Sequence, residues 1–209
     1  DGLNIYFENL GEELGDAYIE FLRELSIQCR KNNLVLSSDN TVPRDFSAYY
    51  QRSEQAEVVD YFIIMGYDEH YVGSDPGSVA SLSFEKEGIE STIAEGVPAD
   101  KIISGVPFYT RLWNTDTSGE VSSEAIGMNT ADSTLEANGV TANWSDETSQ
   151  DYEEYHDPDG ALYQIWLENE ASMELKAKLI PEYQLAGIAA WKLGFERSSI
   201  WDVISTNIK

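Results

Sequence analysis

The chain has 209 residues, enough for one good-sized core, and its 42% hydrophobic and 11% aromatic content is that of a folded globular protein, not a disordered one. With 38 acidic against 13 basic residues the net charge is -25, which repels phosphate backbones and anionic membranes and sets nucleic-acid binding aside. Cys29 is the only cysteine, which excludes an internal disulfide and a cysteine metal cluster, and His70 and His156 are too few for a histidine-rich metal site.

Short β-rich apolar runs alternate with amphipathic helices, the pattern of an α/β fold with parallel strands. Residues 3–7 read as a strand and 16–32 as a helix, with Tyr18, Phe21, Leu22, Leu25 and Cys29 on one face. Residues 34–38 form the next strand, ending in the polar pair Asp39 and Asn40, and 58–65 a third, buried on both faces. A helix over 84–95 stops at Gly96, and strands follow over 101–109 and 186–191. A short helix over 200–208 closes the chain.

Between Trp113 and Leu167 the rhythm breaks into a polar, acidic interval with turn signals at residues 117–119, 138–139 and 157–160. It holds a helix over 130–138 and strands near 140–144, 151–156 and 161–166, the last two joined as a hairpin, and reads as a small α+β insertion. A helix over 169–183 then leads to the final strand. The expected organisation is residues 1–112, an insertion over 113–167, and 168–209. Five strand-helix units are an awkward number for a closed barrel, which takes eight. The sequence therefore predicts either an open sheet or units four to eight of a barrel whose first three are missing. In the second case the flank of the first strand is an unpaired edge open to self-association. No apolar run reaches the roughly 18 residues that cross a bilayer. No signal peptide is visible either, which carries little weight in a chain that starts at Asp1.

Alternation puts Asn4, Tyr6 and Glu8 on one face of the first strand and Leu3, Ile5 and Phe7 on the other. In a barrel the polar set points inward and Glu8 stands at the C-terminal rim, where such folds keep their active sites. A carboxylate among aromatic rings there can serve as a general acid, although a salt-bridged rim carboxylate is the commoner occupant.

The order of motifs goes further. Asp1-Gly2-x-Asn4-x-Tyr6-x-Glu8 resembles the DGxDxDxE signature on strand four of glycoside hydrolase family 18, the chitinase-like enzymes. Met65-Gly66-Tyr67-Asp68 resembles its strand six, Gly105-Val106-Pro107-Phe108-Tyr109 with Arg111 its strand seven, and Gly187-Ile188-Ala189-Ala190-Trp191 its strand eight. Residues 65–76 resemble the branch acting on bacterial cell walls and spore cortex. The resemblance covers essentially the whole chain and implies a partial (β/α)8 barrel, units four to eight, with the insertion after strand seven. It implies substrate-assisted retention on N-acetylglucosamine-containing polymers, peptidoglycan or chitin-like, with no cofactor or metal and an extracellular or envelope setting. On matching positions Glu8 is the proton donor, Tyr67 holds the acetamido oxygen, Asp68 lines the same subsite and Trp191 floors the sugar. Asn4, Tyr6, Met65, Tyr109, Arg111 and Trp113 complete the substrate-binding set, with Tyr67, Trp113 and Trp191 as an aromatic platform.

The sequence departs from the pattern at Asn4 and, more seriously, at Tyr6, where the family carries the aspartate that balances the oxazolinium charge. A phenol with a reference pKa of about 10 is neutral, and its bulk is expected to overpack beneath Glu8. Losing one preorganised electrostatic partner costs on the order of 10²–10³ in rate. Two readings follow, a weakened glycosidase and a carbohydrate-binding barrel without turnover. A nucleotide-binding domain is disfavoured, because neither GxGxxG nor GxxxxGK[ST] follows any strand.

Overall fold

The structure, a computed structural model, describes residues 1–209. Its elements begin with β1 (Gly2–Ile5), α1 (Gly15–Lys31), β2 (Val35–Thr41), α2 (Arg52–Val58), β3 (Tyr61–Met65), α3 (Leu82–Ala94) and β4 (Ile102–Pro107). There follow β5 (Tyr109–Thr115), β6 (Val121–Gly127), α4 (Met128–Asn138), β7 (Asn143–Ser145), β8 (Gln150–His156) and β9 (Leu162–Leu167). The chain closes with α5 (Glu170–Tyr183), β10 (Gly187–Trp191) and α6 (Ser199–Asn207). Contacts group residues 1–65, 86–105 and 180–189 into one unit and 66–85, 106–179 and 190–209 into another.

The first unit carries a parallel half-barrel sheet in the order β1-β2-β3-β4-β10, the α/β class read from the sequence. Its pairings are in register, with Asn4 opposite Ser37, Thr41 opposite Met65 and Met65 opposite Gly105. A Cβ added at Gly105 would lie 2.6 Å from the Ile64 carbonyl oxygen, so only glycine lets β4 lie this close to β3. The apolar stripe of α1 packs Tyr18 and Leu22 with Tyr50, Ile5, Leu10 and Val58. Strand β3 is shorter than the apolar run suggested, because 52–58 coil into α2 first. Lys101 Nζ donates to the Ala56 and Val59 carbonyls at 2.6 and 3.0 Å and so satisfies the free end of that helix.

The second unit carries an antiparallel sheet in the order β6-β5-β9-β8-β7. The hairpin β5–β6 corrects the expectation, which let the preceding strand run to Tyr109 and left 113–127 as a polar connection. The mixed sequence of β5 and the polar one of β6 hide their alternation. The register shows it, with Leu112 opposite Ile165 and Thr110 opposite Ile126. Helix α4 covers one face, where Ile126, Ala131, Leu135, Ile165 and Leu167 form a core.

A buried charge cluster lies in this unit. Lys176 Nζ donates to Glu168 Oε1 and to the Ala80 carbonyl at 2.7 Å, and lies 3.2 Å from Glu85 Oε1 without the alignment of a hydrogen bond. Gln150 and Ser172 also donate to Glu168, at 2.7 and 2.9 Å. One cation thus faces two carboxylates, and burial raises both, opposed at Glu168 by Lys176, Ser172 and Gln150. Burial, opposed by Lys176, pushes Glu85 from 4.5 up to about 8. Through that window the folded protein holds a proton the unfolded chain has released, so stability falls as pH rises from about 4.5 to about 8. Glu85→Gln is expected to flatten that dependence in denaturant titrations at several pH values. Lys176→Met, which strands a buried carboxylate, is expected to cost about 3–5 kcal/mol in the same experiment.

Candidate active site

In the first unit β1 ends at Ile5, so Tyr6 and Glu8 lie beyond the strand and not on its inner face as alternation predicted. The segment is tied down by Phe7, whose ring packs 6.0 Å from Tyr18 and 5.8 Å from Phe21 of α1. The Tyr50 hydroxyl donates to the Phe7 carbonyl at 3.4 Å. Tyr6 is 51% exposed and its hydroxyl donates to Glu8 Oε1. The expected overpacking beneath Glu8 is therefore absent: the phenol turns outward and binds the acid from the side. Its inability to carry negative charge at neutral pH stands unaltered.

On the same sheet a short polar chain crosses from β1 to β2. Ser37 Oγ donates to Asn4 Oδ1 at 2.7 Å, and Asn4 Nδ2 donates to Asp39 Oδ2 at 2.9 Å. Parallel register makes this possible, since Asn4 lies opposite Ser37 and Asp39 is two residues farther along β2. Burial raises Asp39 above the usual carboxylate range, and the Asn4 bond opposes the shift. Neither Ser37 nor Asp39 was singled out from the sequence. Their only signal was a strand that turned polar at residues 37–40. Met65, the remaining expected site residue in this unit, is buried at the end of β3.

In the second unit the structure brings Tyr67, Asp68, Tyr109 and Trp191 together. The Tyr67 ring lies 6.2 Å from that of Tyr109 and 6.5 Å from that of Trp191, and the last two are 5.1 Å apart, edge to face. The Tyr109 hydroxyl donates to Asp68 Oδ1 at 2.5 Å. Burial and that bond push the phenol well above its ordinary value, so it remains a donor. Asp68 sits at φ 61°, a left-handed conformation that aspartate tolerates better than most side chains, and this presents its carboxylate just past β3. Trp191 is 41% exposed, with Lys192 Nζ 5.5 Å from its ring centroid. Its carbonyl accepts the Phe108 N–H at 2.7 Å. Arg111, on β5, donates to Ser123 Oγ at 3.2 Å, while its buried Nε has no partner.

Trp113 is a correction. It was expected in the sugar platform, but it is 1% exposed and its indole N–H donates to the Gly77 carbonyl at 2.8 Å. It is a core residue that holds the 66–85 segment onto β5. No group of three or more His, Cys, Asp or Glu side chains is placed to hold a metal ion.

Residues 1–196 match the model of glycosyl hydrolases family 18. The chain belongs to that family. Among curated family 18 relatives it is 33% identical over 199 residues to YdhD of Bacillus subtilis (strain 168), assigned as a sporulation-specific glycosylase, covering 92% of this chain and 46% of the relative. It is 27% identical over 206 residues to the cortical fragment-lytic enzyme of the same organism, covering 95% of this chain and 48% of that enzyme. The crystal structure of the Bacillus megaterium QM B1551 spore cortex-lytic enzyme SleL superposes with a TM-score of 0.87 at 25% identity, over 99% of this chain and 48% of that one. The family 18 chain thus spans about half the length of these relatives.

The two tryptophans are expected to behave differently. Trp113→Ala should cost about 3–5 kcal/mol in chemical denaturation, because it empties a buried indole site and strands the Gly77 carbonyl. Trp191→Ala, at a half-exposed ring, should cost less than half as much.

Proposed function

We propose that the chain acts in hydrolysis of β-1,4 links beside N-acetylglucosamine, in peptidoglycan or chitin-like polymers, by substrate-assisted retention. The observation that carries the reading is the half-exposed Trp191 ring, framed by Tyr67 and by the Tyr109–Asp68 pair, in a family 18 chain. An exposed indole with adjacent hydroxyl and carboxylate groups suits the apolar face and polar rim of a pyranose. The names of the relatives, a cortical fragment-lytic enzyme and a spore cortex-lytic enzyme, favour peptidoglycan and an extracellular or envelope setting. No helix is long and apolar enough to cross a membrane.

In this reading Glu8 protonates the leaving glycosidic oxygen, and the substrate's acetamido carbonyl attacks the anomeric carbon to give an oxazolinium ion that water opens. Tyr67 donates to the acetamido oxygen, Asp68 shares that subsite and Trp191 stacks under the ring. Tyr109 positions Asp68, while Asn4, Met65 and Arg111 support the substrate-binding set. Tyr6 lowers the rate, because a neutral phenol cannot balance the oxazolinium charge.

One specific observation favours a second reading, a sugar-binding barrel without turnover: the Tyr6 hydroxyl occupies Glu8 Oε1. Chitooligosaccharide cleavage separates the two. Glu8→Gln is expected to lower turnover by about 10²–10⁴ with the β-anomer retained in the parent's product, and Tyr6→Asp to raise turnover by about 10²–10³. Sugar binding without cleavage by either the parent or Tyr6→Asp would instead support the binding reading. Inversion at the anomeric carbon would rule out the mechanism.

A further inference from the structure

The polar chain between β1 and β2 leaves one acceptor open. Ser37 donates to Asn4 Oδ1, which fixes the amide so that its nitrogen points to Asp39 Oδ2. Asp39 Oδ1 is buried and accepts no hydrogen bond. Buried carboxylate oxygens without a donor are rare and unfavourable, because water's hydrogen bonds are lost and nothing replaces them. The Ser37–Asn4 pair holds the other Asp39 oxygen, Oδ2, in place. The nearest hydroxyl on the acid's own segment, that of Tyr6, is directed at Glu8. A preorganised acceptor of this kind suits a donor that arrives with a ligand.

We propose that Asp39 Oδ1 is a substrate-binding acceptor, taking a hydrogen bond from an amide N–H or hydroxyl of the N-acetylated sugar on which Glu8 acts. The proposal rests on the glycosidase reading, and it gives the site a carboxylate on β2 where the acid's own segment offers only a phenol. The upward shift that burial imposes on Asp39 agrees with it, since an incoming donor restores what desolvation removed. Asn4 then has a positioning role: its amide is oriented by Ser37 and in turn orients the carboxylate.

The test is calorimetric titration with tri-N-acetylchitotriose, alongside cleavage assays of the same sugar, on the parent, Asp39→Asn and Glu8→Gln. Asp39→Asn turns the open acceptor into a donor, and it is expected to weaken sugar binding about ten- to a hundredfold relative to the parent. Equal affinity in the parent and Asp39→Asn overturns the proposal and leaves the glycosidase reading standing if Glu8→Gln abolishes cleavage. Weakened binding by Asp39→Asn, with no cleavage by any variant, supports the Asp39 contact and counts against hydrolysis. A parent that neither binds nor cuts defeats both. Should Asp39→Asn fail to fold, the Asp39 carboxyl carbon resonance of the parent decides: a shift on adding the sugar supports the contact, and an unmoved resonance overturns it.

Discussion

Parallel pairing in fixed register is the constraint on which the unit that carries Glu8 depends. The side-chain period of a strand is two, so a one-residue slip between β1 and β2 would carry Asn4 away from Ser37 and Asp39. Polar satisfaction along the strand ends therefore follows from backbone geometry. Gly105 belongs to the same constraint, since any side chain there would push β4 off the β3 backbone. The ends of β2, β3 and β4 are held level by pairings at Thr41, Met65 and Gly105.

The antiparallel unit meets a different problem, that of joining a loop-rich region without a large core. Polar contacts do much of this. Trp113 reaches the Gly77 carbonyl, Ser78 reaches Gln150, and Lys176 ties the Ala80 carbonyl to Glu168. Buried ion pairs add little net stability compared with apolar packing, but they punish misplacement of either partner. The segment that follows Asp68 is thereby fixed by interactions specific to one arrangement. An excess carboxylate, Glu85, remains as the least satisfied member, with neither oxygen hydrogen-bonded.

Much of this was legible in the sequence, and the exceptions have physical causes. Long amphipathic runs such as α1 and short apolar ones such as β4 announce themselves by period. The order of the four motifs also pointed to the strands at whose ends these residues gather: Glu8 and Tyr67 lie just past β1 and β3, Tyr109 opens β5 just after β4, and Trp191 ends β10. Helix α2 was missed because Val58 joined an apolar run that the structure divides at Val59 and Asp60. Hairpin β5–β6 was missed because its outward residues are polar and its inward ones irregular. Trp113 was misplaced because motif proximity says nothing about burial. Asp39 was passed over because an orphaned oxygen is a property of the packed state and leaves no trace in spacing.

Tyr6 shows how the structure changes the weight of an argument without reversing it. From the sequence its bulk and its neutrality both counted against Glu8. With β1 ending at Ile5, the ring has room to turn outward, and the steric objection falls away. What remains is electrostatic and more local. A phenol stands at Tyr6 where an aspartate would bring a charge, and its hydroxyl is directed at Glu8 Oε1. In the proposed glycosidase reading, a sugar reaching Glu8 either displaces the Tyr6 hydroxyl from Oε1 or meets the other carboxylate oxygen.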